Sequence, residues 1–207
     1  MIKIKAIGFD WVGVVFFTSR YHTMISELLN ISNEEFSNSY YKYNHLINTT
    51  NIDEKEFWTI VFTDLGKESK VDEFLKLLHN FPKGKYNEEI LPLIKLLKNK
   101  GYKVGLFSNH TATGAQEARQ LGVDDLFDIT LFSAEVGVMK ADPAAFLMLA
   151  EKLEVNISEM IFIDDTPRVL ENAKEIGFEP ILYTNMESLL QRLQELEILT
   201  ASEIKKL

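Results

Sequence analysis

The sequence contains no cysteine among its 207 residues. This absence excludes a disulfide framework, a thiolate nucleophile and cysteine-ligated zinc or iron–sulfur centres. Any metal bound by this chain must therefore have oxygen or nitrogen ligands. Because 46% of the residues are hydrophobic, the chain is long enough to bury one substantial core, with room for a small additional lobe.

Long apolar runs and excess positive charge are also missing. No stretch approaches the roughly 18 consecutive apolar residues that span a bilayer, and the first ten residues are too interrupted by lysine for a signal peptide. The formal net charge is −9, and no basic stripe is available to neutralise nucleic-acid phosphates. We therefore expect a soluble cytoplasmic protein, a monomer or homodimer, that binds a small-molecule substrate and neither nucleic acid nor membrane.

Five short apolar runs, rich in β-branched and aromatic residues, alternate with longer segments of helical periodicity. They lie at residues 4–9, 104–107, 129–132, 160–163 and 181–183. Nearly continuous apolar strands that alternate with helices are typical of a parallel sheet covered on both faces. The sequence predicts an α/β fold with a doubly wound parallel sheet.

The interval between the first two predicted strands is unusually long. It contains four amphipathic segments, residues 21–29, 33–47, 54–65 and 71–79, and no convincing strand. We predict a small all-helical cap over residues 16–82, inserted into a core formed by residues 1–15 and 83–207. Residues 81–84, with the sequence Phe-Pro-Lys-Gly, are typical of a hinge between the two.

Polar side chains follow the first four predicted strands. They are Asp10 after the first, Ser108 and Asn109 after the second, Lys140 in the loop after the third, and Asp164 and Asp165 after the fourth. The carboxyl ends of parallel strands form the ligand crevice of such a sheet, so we expect these groups to converge. Three converging carboxylates repel one another unless a cation offsets their charge. The sequence thus favours Mg²⁺, which binds carboxylate, water and phosphate oxygens.

Four segments around these residues resemble the motifs of the haloacid dehalogenase (HAD) superfamily, in that superfamily's order. They are residues 9–15 (FDWVGVV), 106–109 (LFSN), 135–143 (EVGVMKADP) and 161–165 (IFIDD). The helical insertion after the first motif is similar to the C1 cap of its subfamily IA. The resemblance covers most of the chain, and the ordered set of motifs is far more specific than any one of them.

The resemblance implies a Mg²⁺-dependent phosphatase that acts on a small phosphorylated metabolite. Asp10 would attack the phosphoryl group and form an aspartyl-phosphate. Ser108 and the backbone of Asn109 would hold the transferring phosphate, and Lys140 would neutralise its charge.

The same resemblance implies a metal site. Asp10, Asp165 and the backbone carbonyl of Val12 would hold Mg²⁺, with Asp164 as a further ligand or support.

Val12 departs from the family pattern. Phosphatases of the family commonly keep an aspartate at this position to protonate the leaving group, and loss of a general acid typically costs about 10²–10⁴ in rate. The chain could be a phosphatase limited to good leaving groups, or one that takes its acid from the cap. It could also be a catalytically silent HAD-fold binding or interaction protein, or a metal-independent 2-haloacid dehalogenase. The Asp164-Asp165 pair favours phosphoryl transfer, because only that reaction needs Mg²⁺.

Several of these residues also have structural interpretations. Ser108 and Asn109 could cap a helix that begins near Thr111. His110 could substitute for the missing acid, although packing into the following helix is favoured. Aromatic cap residues such as Tyr41 suit packing between helices better than contact with substrate.

Overall fold

The computed structural model describes residues 3–18, 21–50, 52–80, 84–140 and 142–207, with the backbone alone for residues 21–23. The predicted hinge lies largely outside these residues, since only Gly84 of that segment is described. None of the helices in the described ranges is long and apolar enough to cross a membrane.

In the described part of the chain, the central sheet has five parallel strands and confirms the predicted α/β class. In chain order they are β1 (Ala6–Phe9), β4 (Lys103–Ser108), β5 (Ile129–Phe132), β6 (Met160–Asp164) and β7 (Glu179–Leu182). Their spatial order is β5-β4-β1-β6-β7, so β1 lies in the middle, between β4 and β6. The last strand begins two residues earlier than predicted. It includes Pro180, which an edge strand tolerates because one side of its backbone has no partner strand.

A second, antiparallel sheet was not predicted. Its two strands are β2 (Phe16–Phe17) and β3 (Lys85–Tyr86), paired Phe16 with Tyr86 and Phe17 with Lys85. The expectation of no strand in residues 16–82 is therefore wrong at residues 16 and 17. Two-residue strands are too short to show the period-two alternation that marks a strand in sequence.

The described residues of the predicted insertion form four α-helices. They are α1 (Tyr21–Leu29), α2 (Asn33–Thr49), α3 (Glu54–Asp64) and α4 (Val71–His79). Ser32 and Asp53 cap α2 and α3 with their side-chain oxygens. The helices share an apolar cluster of their own, which includes Phe57, Trp58 and Phe74.

The remaining helices cover both faces of the parallel sheet. They are α5 (Ile90–Asn99), α6 (Ala112–Gln120), α7 (Val123–Leu126), α8 (Ser133–Val136), α9 (Pro143–Lys152), α10 (Pro167–Leu170), α11 (Ala173–Ile176), α12 (Met186–Glu195) and α13 (Ala201–Ile204). Successive residues of β1 serve opposite faces: Ile7 and Phe9 join one apolar cluster, and Ala6 joins the other. This arrangement leaves the carboxyl edge of the sheet as the place where polar side chains converge.

Candidate active site

Asp10 lies directly after the central strand β1 and is buried. Its backbone N–H continues the sheet ladder by donating to the Ile163 carbonyl at 2.9 Å. The chain then turns sharply, because the Trp11 carbonyl accepts hydrogen bonds from both Val15 and Phe16. The Trp11 N–H donates to Oδ1 of Asp10 at 2.6 Å, which orients the Asp10 carboxylate at the start of this turn.

Lys140 forms ion pairs with two of the three aspartates predicted to line the site. Its buried ammonium lies 2.7 Å from Oδ1 of Asp10 and 2.5 Å from Oδ2 of Asp164. The backbone N–H of Lys140 donates to Oδ1 of Asn109 at 2.8 Å. This hydrogen bond connects the loop after β4 to the loop that carries Lys140. The structure therefore brings residues from four separate segments into one contact network.

Asp164 and Asp165 occupy different environments. Asp164 is fully buried, and its Oδ1 accepts the Thr166 N–H at 2.8 Å while its Oδ2 contacts Lys140. Asp165 is more exposed. Oxygen atoms of Asp10, Asp164 and Asp165 all lie within 4.8 Å of one another, as a shared cation would require.

Gly13 is a site residue that the sequence analysis did not single out. Its φ is +91°, a conformation that favours glycine, and a Cβ at this position would lie 2.2 Å from Oδ2 of Asp165. The absence of a side chain at Gly13 therefore creates the space that the Asp165 carboxylate occupies. The glycine is visible in the sequence, but its approach to Asp165 depends on the fold.

Burial and mutual repulsion shift the pKa values of these groups. Burial raises the pKa of Asp10 to about 7, against the opposing effect of Lys140, and Asp164 and Asp165 raise it further. Burial and the charge of Asp164 also raise the pKa of Asp165. Burial disfavours the charge on Lys140, but Asp10 and Asp164 outweigh that effect and hold its pKa above the ordinary value. One ammonium among three carboxylates leaves an excess of negative charge, which fits a hard divalent cation with oxygen ligands.

Ser108 and Asn109 lie at the end of β4, and Ser108 is buried. They do not cap the following helix, because Oγ1 of Thr111 accepts the Gly114 N–H and performs that role. The Asn109 side chain is instead committed to Lys140.

His110 has the structural role that the sequence favoured. Its ring packs against Gly114, where a Cβ would lie 2.0 Å from the imidazole, and its Nδ1 accepts the Thr111 N–H. Burial lowers the pKa of His110 to about 4. The ring is therefore neutral near pH 7 and is a poor candidate for the missing general acid.

Asn87 was not predicted to support the site. Its buried Nδ2 donates to the Val14 carbonyl and to the Tyr183 hydroxyl, both at 2.9 Å, and so ties the turn after Asp10 to the end of β7. Nothing in the sequence distinguishes this asparagine from a loop residue. A cleft of about 700 Å³ opens beside it, bounded by Gly13 and Asp165 on one side.

The comparisons with known proteins identify the family. A family model described as haloacid dehalogenase-like hydrolase matches residues 4–177. The chain belongs to this family of hydrolases, and the resemblance seen in its four motifs is confirmed.

Two curated relatives are phosphatases by name. Phosphatase MT3486 of Mycobacterium tuberculosis is 25% identical over 193 residues, which cover 87% of this chain and 88% of that protein. The phosphorylated carbohydrates phosphatase of Thermotoga maritima is 26% identical over 137 residues, and this match spans 63% of each protein. The chain is thus similar to one phosphatase over most of its length and to the other over less than two thirds.

Solved structures share the fold. A dehalogenase with an intermediate complex superposes with a TM-score of 0.66 at 17% identity, covering 89% of this chain and 86% of that one. A HAD family enzyme of Bacteroides thetaiotaomicron, in complex with magnesium and inorganic phosphate, has a TM-score of 0.60 at 23% identity, covering 90% of this chain and 98% of that one. At these identities the likeness establishes the fold alone.

Proposed function

We propose that this hydrolase is a Mg²⁺-dependent phosphatase of a small phosphorylated metabolite, with Asp10 as its nucleophile. The observation that carries the proposal is the Lys140 ammonium, held against Asp10 and Asp164 in a buried crevice that Asp165 also borders. Such a crevice attracts both a divalent cation and the phosphate oxygens that accompany it.

Asp10, Asp165 and the backbone carbonyl of Val12 are the ligands we assign to Mg²⁺. Asp164 contacts Lys140 with one oxygen and the Thr166 N–H with the other, so we assign it mainly to positioning the lysine. When bound, Mg²⁺ supplies positive charge that stabilises the phosphoryl oxygens as they become more negative.

In the first step of the proposed reaction, residues of this chain attack and bind the phosphoryl group. A carboxylate oxygen of Asp10 forms a bond to phosphorus, and the bond between phosphorus and the leaving-group oxygen breaks. Ser108 and the backbone of Asn109 would bind the phosphoryl oxygens, while Lys140 offsets their charge. Water then attacks the aspartyl-phosphate, which releases inorganic phosphate and restores Asp10.

Val12 defines which leaving groups suit the enzyme. The alkoxide released from an alkyl phosphate must gain a proton, and valine cannot donate one. His110 does not offer a substitute, since its ring packs into α6 and its pKa is low. Phosphates with stable leaving groups, such as acyl, aryl or anomeric phosphates, need no such donor and are the substrates we expect.

The helical segment, residues 16–82, is the cap in this proposal, and residues 1–15 and 83–207 form the catalytic core. The separate apolar cluster of α1 to α4 supports this division. So does the ribbon of β2 and β3, which joins the start of the segment to residues just after its end, next to the turn that follows Asp10.

Hydrolysis of p-nitrophenyl phosphate and acetyl phosphate, with Mg²⁺ and with EDTA, tests the proposal. Wild type should turn over in Mg²⁺ alone, and Asp10→Asn should abolish turnover. The control is Asp72→Asn, an exposed cap carboxylate that should leave the rate unchanged. Asp10-dependent release of halide from a 2-haloacid in EDTA would instead establish a dehalogenase. Absence of any Asp10-dependent turnover would support a binding protein.

A further inference from the structure

Helix α2 carries two asparagines whose side-chain amides are buried without a hydrogen-bond partner among the described residues. Asn44 and Asn48 are 9% and 4% exposed, and neither side chain has a hydrogen-bond partner among the described residues. Buried amides are normally paired, because an unpaired one loses its hydrogen bonds to water without replacement. Within the described part of the chain, Trp58 Nε1 is the side-chain polar atom that is both completely enclosed and unpaired. The two asparagine amides therefore retain slight contact with a solvent-filled space.

The amides lie on a second face of α2. Its apolar stripe, which includes Tyr43 and Ile47, packs into the cluster shared with the other cap helices. Residues of a helix are rotated by about 100° each, so Tyr41, Asn44 and Asn48 share a stripe on another side. This polar stripe faces away from the interior of the cap.

Two contacts show that the polar stripe faces the parallel sheet. The guanidinium of Arg168 lies over the Tyr41 ring, 3.9 Å from its centre. Arg168 follows Asp165 by three residues, in the segment after β6. Helix α2 also packs against α8, the short helix after β5. Because the first turn of α2 is exposed while Asn44 and Asn48 are buried, we place the α8 contact on the C-terminal half of α2.

These contacts indicate that the amides lie above the catalytic crevice. In the sheet order β5-β4-β1-β6-β7, the strands β4 and β1 lie between β5 and β6. Strands β5 and β6 are three spacings apart, about 14 Å, and the stripe from Tyr41 to Asn48 is about 10 Å long. A helix that contacts the segments after β6 and β5 must cross the ends of β1 and β4, where Asp10 and Ser108 lie.

We propose that Asn44 and Asn48 are specificity-determining residues that bind hydroxyl groups on the part of the substrate that is not transferred. The inference rests on the proposed phosphatase function and names its substrate class, a sugar phosphorylated at its anomeric carbon, which also has the kind of leaving group expected with valine at position 12. A primary amide both donates and accepts hydrogen bonds, as does a hydroxyl, so two amides one helical turn apart match neighbouring hydroxyls. An apolar group would leave both amides unpaired, and sites built for hydrogen bonding reject such analogues.

Binding measurements in an Asp10→Asn background test the subsite without requiring turnover. Calorimetry in Mg²⁺ would compare a hexose 1-phosphate and a pentose 1-phosphate with phenyl phosphate and inorganic phosphate. We expect at least one sugar phosphate to bind more tightly than phenyl phosphate. Asn44→Leu and Asn48→Leu should each weaken that binding about tenfold and leave inorganic phosphate within about twofold.

Asn38→Leu is the matched control, since Asn38 is an exposed asparagine on the same helix and should affect none of the four ligands. Asn44→Ala and Asn48→Ala accompany the leucine variants in case leucine does not fit, and thermal unfolding checks that each variant folds. Equal weakening of sugar phosphate and inorganic phosphate binding would overturn the inference, as would no change in either, or an Asp10→Asn parent that prefers phenyl phosphate. If the selectivity for sugar phosphates is found but wild type shows no Asp10-dependent turnover, the subsite stands and the phosphatase proposal fails.

Discussion

The ammonium of Lys140 lies 2.7 Å from Oδ1 of Asp10, and both side chains are buried. A buried ion pair contributes little net stability when complete, but removal of one partner leaves an uncompensated charge. Lys140 is also the positive charge closest to Asp10 that the described contacts show. The pair therefore links the stability of the folded chain to the chemistry we propose for it.

Lys140→Met should destabilise the protein by about 3 kcal/mol or more at pH 8 in EDTA, because two buried carboxylates lose their common partner. Urea unfolding measures the change. Lys42→Met is the control: Lys42 pairs with Asp64 on the surface of the cap, and exposed pairs contribute little to stability because water and salt screen them. Similar losses in the two variants would show that the Lys140 contacts are no more important than a surface ion pair.

The raised pKa of Asp10 predicts a pH-dependent stability in the absence of metal. The folded-state pKa is about 7, above the ordinary value of 3.8, so the folded state binds more protons than the unfolded state between these values. This group's contribution is fully present below about pH 4 and is lost as the pH rises towards 7. The loss is at most about 1.4 kcal/mol per pH unit.

Asp10→Asn isolates this contribution. The unfolding free energy of the variant, minus that of wild type, should rise between pH 4 and 7 in EDTA and remain level above pH 7. Added Mg²⁺ should stabilise wild type more at pH 8 than at pH 5, because cation and proton compete for the carboxylate. A difference that is independent of pH would show that Asp10 has an ordinary pKa in the folded protein.

Strong periodic patterns made much of this fold predictable. Helix α4 has one distinctly apolar face, and the sequence predicts its bounds, residues 71–79, as the structure has them. Residues 167–176 show the limit: they form two short helices, α10 and α11, with a break at Glu171 and Asn172. Helical periodicity continues across such a break, and only tertiary packing reveals it.

The sheet topology predicts that the aspartates of the candidate site lie close together. It does not predict the hydrogen bonds that support the site. Asp10 and Asp164 end neighbouring parallel strands, so their proximity follows from the fold class. The bonds of Asn87 to Val14 and Tyr183 join segments far apart in the chain, and no local pattern encodes them. Contacts of this kind depend on side-chain packing in three dimensions.

Val12→Asp should restore general-acid catalysis if the site is otherwise intact. Val12 is partly exposed next to the nucleophile, so a carboxyl group there would have access to the leaving group. We expect the rate with an alkyl phosphate to rise about 10²-fold, and the rate with p-nitrophenyl phosphate to change much less, since p-nitrophenolate needs little protonation.

Val12→Asn is the control for this gain. Asparagine has nearly the shape of aspartate but cannot act as an acid, so it should leave the alkyl phosphate rate unchanged. An equal gain in both variants would mean that polarity at position 12, and not proton transfer, limits the reaction.

Gly13→Ala should weaken Mg²⁺ binding about tenfold or more, because the added Cβ would lie 2.2 Å from Oδ2 of Asp165 and displace that carboxylate. Gly66→Ala separates this effect from backbone strain. Gly66 also has a positive φ, +66°, but nothing lies within 4 Å of its Cβ position. Both substitutions should lower the free energy of unfolding, measured in urea, by about 1–2 kcal/mol, because alanine is disfavoured in the left-handed backbone conformation. Calorimetric titration with Mg²⁺ then distinguishes them, and equal affinities in the two variants would remove Asp165 from the ligands of the cation.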